Sequence, residues 1–93
     1  MLEDFGGSIQ DILLERNETH GSFAENARIA QGIKAIIRTG ANWSRLTPIQ
    51  KEAFDQKASK WGRILSGNPN FADHWNDDIG YSTLVLEECD EPK

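Results

Sequence analysis

The sequence predicts an all-α protein, a compact bundle of about four helices with antiparallel neighbours, and three observations predict it. Capping residues mark helix boundaries at several points, no stretch alternates apolar and polar residues long enough to make a strand, and the connections are only a few residues long. Leu84-Val85-Leu86 alone hints at a strand, and it is too short to form one in isolation. A chain of 93 residues with 38% hydrophobic content makes one soluble domain with one modest core.

Gly6-Gly7-Ser8 leads into Ile9–Arg16, where Ser8 can cap and Asp11 sits in the acid-favouring first turn. After a turn read at Asn17-Glu18-Thr19-His20-Gly21, Ser22 and Glu25 form a capping box. Phe23, Ala27, Ala30, Ile33 and Ile37 then recur at helical spacing until Gly40 stops the run. The next loop, Gly40–Leu46, is the longest, and its Trp43 and Leu46 should fold back as a lid. Thr47-Pro48-Ile49-Gln50 combines an N-cap, a first-turn proline and a capping glutamine, opening a third helix that Gly67 closes. Asn70 with Asp73 opens a fourth, which runs to about Leu86 and frays where acids oppose the helix dipole. The expected core is Ile33, Ile37, Phe54, Trp61, Ile64, Phe71 and Trp75.

Residues 1–86 are expected to form the single helical domain and 87–93 an acidic, frayed tail. The net charge of −5 divides into −3 in the tail and −2 in the body, so no concentrated basic surface is available for duplex nucleic acid. No apolar run approaches the ~18 residues of a membrane span, and the N-terminus lacks the basic and apolar regions of a secretion signal. A cytoplasmic protein is expected. The Asn17-Glu18-Thr19 and Asn42-Trp43-Ser44 sequons then carry no glycan, and the single Cys89 excludes an internal disulfide.

Chemistry-bearing residues concentrate between Lys60 and Asp78: two tryptophans, His74, three aspartates and the pair Lys60 and Arg63, arranged around Ser66-Gly67-Asn68-Pro69-Asn70. The expected binding residues are Arg63, His74, Trp75, Lys60 and His20, meeting at a polar groove between helices three and four. Tryptophan and arginine are over-represented among binding hot spots. On a helical wheel, Glu52 and Asp55 point away from the apolar arc of the third helix, and Asp73 and Asp77 do the same on the fourth. The two acid stripes could meet at the bundle surface, which makes Glu52, Asp55, Asp73 and Asp77 the candidate metal ligands, since magnesium takes carboxylate oxygens and keeps several waters.

His20-Gly21-Ser22-Phe23 with Asn26-Ala27, Trp43, Leu46, Glu52-Ala53-Phe54-Asp55, Lys60, Arg63-Ile64-Leu65-Ser66-Gly67, Asp73-His74-Trp75-Asn76-Asp77 and Gly80-Tyr81 together resemble a family of small phage and prophage proteins without an assigned function. The likeness spans roughly residues 9 to 86. More remotely, the two acid-bearing helices resemble MazG-like all-α nucleoside triphosphate pyrophosphohydrolases. The resemblance implies a protein that binds a partner of host or phage origin, with no cofactor. An alternative is a magnesium-dependent pyrophosphohydrolase, active or decayed, in which Lys60 and Arg63 neutralise phosphate and His20, His74 and a tryptophan orient the nucleotide. A second alternative is a structural subunit of a homodimer.

Overall fold

A computed structural model of the chain describes residues 9–89. Four α-helices follow one another: α1 (Ile9–His20), α2 (Phe23–Ile37), α3 (Pro48–Ser66) and α4 (Ala72–Glu87), with one 3₁₀ turn at Trp43–Arg45 between α2 and α3. There is no strand among the described residues. The expected cap at Ser8 and the end of the acidic tail, residues 90–93, lie outside them.

The start of α3 follows its sequence closely. The Thr47 hydroxyl accepts from the Gln50 N–H, the Gln50 side chain accepts from the Thr47 N–H, and Pro48 occupies the first turn, where no N–H is needed. Only half of the box expected at α2 forms. Ser22 accepts from the Glu25 N–H, but the Glu25 carboxylate turns to Arg28. Two boundaries differ from expectation. The turn read at Asn17–His20 is helical and belongs to α1, because the chain reverses at Gly21, whose φ of +76° places it in the left-handed region. α4 is preceded by Phe71 without a side-chain cap, since the Asn68 side chain takes the Asn70 N–H and closes the turn one step earlier.

Cross-helix pairs establish the bundle order. Asn26 with Ser66 and Arg38 with Asp55 run α2 antiparallel to α3; Gln56 with Tyr81, Lys57 with Asp78 and Lys60 with Asp77 run α3 antiparallel to α4. α3 is therefore the central helix. Its contact with α2 is made by small residues: Gly62 backs onto Ala30 and the Asn26 carbonyl, so that a Cβ at Gly62 would lie 2.9 Å from that oxygen. Ala30, Ala53, Ala58 and Ile64 form the buried apolar core.

Of the seven core residues expected from periodicity, Ile64 is buried and Ile33, Ile37, Trp61 and Phe71 are half-buried. Phe54 and Trp75 are exposed, at 39% and 48%. Periodicity locates an apolar arc but not the neighbour that covers it, and α3 spends its buried arc on alanine and glycine. Trp75 instead lies outside the α3–α4 turn, its indole N–H donating to the Pro69 carbonyl at 2.7 Å. Trp43 does return as a lid, tilted against Phe54 with ring centroids 6.3 Å apart, with the Arg38 guanidinium and the Lys51 ammonium over its ring.

Two glycine substitutions should move stability in opposite directions. Gly62→Ala drives a methyl into a backbone carbonyl, so it should cost about 1–3 kcal/mol despite the better helix propensity of alanine. Gly80→Ala, in α4 with nothing within 4 Å of the added methyl, should stabilise by about 0.5–1 kcal/mol. Thermal denaturation followed by circular dichroism reads both.

Candidate functional site

The densest polar cluster is where the α1–α2 turn meets the α3–α4 turn. Gly21 and Gly67 face each other there: a Cβ on Gly21 would run into the Ser66 backbone, and one on Gly67 into Thr19, His20 and Gly21. With both side chains absent, the Thr19 carbonyl accepts the Asn68 N–H at 3.0 Å and is also 3.1 Å from His74 Nε2. A carbonyl can only accept, so His74 Nε2 carries the proton. Ser66 Oγ lies 3.2 Å from the His20 carbonyl, 2.7 Å from that of Gly62 and 2.5 Å from Asn26 Oδ1. One hydroxyl proton cannot serve three acceptors. Turning the Asn26 amide so that Nδ2 donates to Ser66 would free that proton for a carbonyl.

His74 is the only fully buried large side chain among the described residues, at 1% exposure. His20 meets it edge-on with ring centroids 4.7 Å apart, Phe71 closes the other side at 4.9 Å, and Thr19 Oγ1 lies 2.5 Å from His20 Nδ1. Partial burial is the main cause holding the His20 imidazole below its ordinary pKa of 6.5. The adjacent His74 adds to it, followed by the positive charges of Arg16, Arg63 and Lys60.

The residues expected to line one groove between α3 and α4 are placed on separate surfaces. Lys60 is 15% exposed and ion-paired with Asp77 at 2.6 Å; its hydrogen bond holds the Asp77 carboxyl below its usual range. Lys57 reaches both the Asp78 carboxylate at 2.9 Å and the Asp78 carbonyl at 3.1 Å, and the Trp61 indole donates to the same carboxylate at 3.2 Å. The α3–α4 seam is thereby filled between Lys57 and Asp78. Arg63 lines a cavity on the other flank of α3, facing α1 and α2. Trp75 lies outside the turn, and His74 and His20 are in the junction.

The four candidate metal ligands do not converge. Asp55 pairs with Arg38 of α2 at 3.0 Å, Glu52 accepts from Gln56 at 2.8 Å, Asp77 holds Lys60, and Asp73 is exposed on the first turn of α4. The two α3 acids part, Asp55 towards α2 and Glu52 onto the hollow shared with Tyr81 and Leu84 of α4, and Glu52, Asp55 and Asp77 are each answered by a cation or an amide. No three His, Cys, Asp or Glu side chains come together as a metal site among the described residues.

Three of the open hollows border the contacts of α3 with its neighbours. Two of about 320 and 340 Å³ flank the contact between Ala53 and Val85, with Leu46, Phe54 and Leu86 on one side and Ile49, Tyr81 and Leu84 on the other. The third, of about 210 Å³, lies between α1, α2 and α3. Sequence reasoning missed the Lys57–Asp78–Trp61 set and the part played by Arg16 and Lys34. A lysine between Phe54 and Trp61 on the apolar arc of α3 was a visible signal for the first. The second had none, because its members come from three helices. No helix among the described residues is long and apolar enough to cross a membrane. No family model, no curated protein and no solved structure matches this chain.

The depressed His20 pKa fixes the sign of a pH effect. The unfolded chain binds a proton at this site more readily than the folded one, so the contribution of His20 to stability is complete above its ordinary pKa. It falls as pH drops below about 6.5 towards the folded value. The melting temperature should decline from about pH 7.5 to 5.5, and His20→Gln should flatten that part of the profile. A wild-type slope retained in the variant would assign the effect to another group.

Proposed function

We propose that this chain is a non-catalytic interaction protein whose working form is a pair of copies closing over apolar faces that one copy leaves open. The balance of burial carries the reading. Ile64 is the one large aliphatic side chain that is buried among the described residues, whereas thirteen large hydrophobics are exposed, from Phe54 at 39% to Phe23 at 81%. So little large aliphatic burial against so much apolar exposure leaves a single copy short of a core.

α1 supports the reading independently. It has 12 residues, none of them buried, with Ile12, Leu13 and Leu14 between 51% and 62% exposed. Helices of that length are marginal in water without tertiary packing, so apolar contacts from outside the chain would supply what its own fold omits. The dimensions agree. The radius of gyration is 16.3 Å and the extents are 51 × 27 × 25 Å, against about 12 Å for the radius of gyration of a compact domain this long.

A second copy is the occupant that fits best, because it brings the same open faces and a two-fold pairing covers both sets at once. Obligate homodimers bury roughly 2,000–5,000 Å² in interfaces that resemble a domain core cut in half. The apolar hollows beside Ala53 and Val85 and the exposed Ile36 face of α2 would supply such a surface. A further protein of phage or host origin, which the family resemblance implies, would then meet the assembled pair. Three of the four carboxylates expected to hold a metal, Glu52, Asp55 and Asp77, are engaged by Gln56, Arg38 and Lys60.

Sedimentation equilibrium at tens of micromolar should give the mass of two chains. Leu84→Glu or Ile36→Glu, each placing a charge on an open apolar face, should shift that mass towards one chain and lower the melting temperature. A single-chain mass across the concentration range, or a dimer indifferent to both substitutions, would overturn the reading.

A further inference from the structure

The cavity between α1, α2 and α3 has a composition unlike the rest of the chain. Its wall carries Arg16 from α1, Lys34 from α2 and Arg63 from α3, and no carboxylate, in a protein that has 15 acids against 10 basic residues. Four of the other cations are ion-paired, Arg28 with Glu25, Arg38 with Asp55, Lys57 with Asp78 and Lys60 with Asp77, while Arg45 donates to the Asn42 amide oxygen and Lys51 lies over the Trp43 ring. None of the three cavity cations has an ion-pair partner among the described residues. Three like charges brought to one concave surface repel one another, and among the described residues no carboxylate lines that wall to offset them. The effect reaches the adjacent junction, where Arg16 and Arg63 help to keep His20 from accepting a proton.

We propose that this cavity is a binding site for a small phosphoryl anion, either inorganic phosphate or a phosphomonoester. Charge and geometry select that class. Two guanidinium forks and one ammonium provide more donors than the two oxygens of a monocarboxylate can use, whereas a phosphoryl group presents three terminal oxygens and close to two negative charges. Asn26 and Ser59 add polar atoms to the wall, and Ala27, Ala30 and Phe23 provide an apolar side for a short organic body. At about 210 Å³ the space is below the ~300 Å³ at which drug-sized sites begin, so the ligand is small. The site lies within one chain, and its test does not depend on whether two copies pair.

Titration of the full-length protein with inorganic phosphate, glycerol 3-phosphate or succinate, sodium chloride holding ionic strength constant, tests the assignment by calorimetry and by the melting temperature. Saturable binding of either phosphoryl compound, with succinate at least about tenfold weaker, is expected. Tighter binding of glycerol 3-phosphate would identify a phosphomonoester site, and equal binding a site for the free ion. Lys34→Gln, which removes the charge of a half-buried side chain of similar length, and Arg63→Gln should each weaken binding by about tenfold or more. Arg28→Gln, which removes a cation paired elsewhere, should leave it unchanged. Stabilisation no greater than that given by sodium chloride, equal binding of succinate, or binding that survives the Lys34→Gln/Arg63→Gln double variant would overturn the proposal.

Discussion

The Thr19 carbonyl accepts two hydrogen bonds at once, from the Asn68 backbone and from His74, and the fixing of α1 to the other three helices depends on that oxygen being reachable. It can be reached only because Gly21 and Gly67 leave no Cβ between the two turns. The end of α1, the start of α2, the end of α3 and the start of α4 are thus held at one point. His74 is buried there because its ring fills the space behind the junction and its buried Nε2–H finds an acceptor in the Thr19 oxygen, whose second lone pair it uses beside the Asn68 N–H. The segments His20-Gly21, Ser66-Gly67 and Asp73-His74 come together in this joint.

From the joint outward the helices are held by different means. α2 and α3 approach closely through Ala30 and Gly62, contact made by van der Waals packing and backbone proximity. α3 and α4 are held mainly by polar side chains: Lys57, Lys60 and Trp61 of one helix grip Asp77 and Asp78 of the other. Buried or half-buried ion pairs specify geometry better than they add stability. An apolar seam could slide by a turn; Asp78, held simultaneously by an ammonium and an indole, fixes the register of α4 on α3. Beyond that clasp the two helices are left with open hollows, and the apolar surface of the chain collects there.

Legibility in the sequence followed the range of the interaction. Thr47 and Gln50 were readable because a capping box closes within four residues, and Pro48 and Gly67 because they act through their own backbone preferences. The helix count and order followed from those marks. Asn17–His20 was misread because turn-forming residues are overruled when the next residue is a left-handed glycine that makes the reversal by itself. Phe54 and Trp75 were misread because an apolar arc says nothing of what faces it. The candidate site was the least legible part. Glu52, Asp55 and Asp77 carry no sign of which cation answers them across a helix gap, and Arg16, Lys34 and Arg63 are separated by 18 and 29 positions.

The joint also orders events in time. The α2–α3 and α3–α4 pairs are hairpins of neighbouring helices, whose closure costs little chain entropy. The bonds from Ser66 to His20 and from His74 to Thr19 span 46 and 55 residues, which is long for a helical protein and belongs to the slower part of a folding reaction. Because α1 has no buried residue, its attachment brings little hydrophobic gain to offset that cost. The three-helix body can therefore assemble before α1 docks. The same asymmetry makes α1 the first unit to exchange its amide protons in native conditions, releasing at the joint while the α3–α4 clasp stays shut.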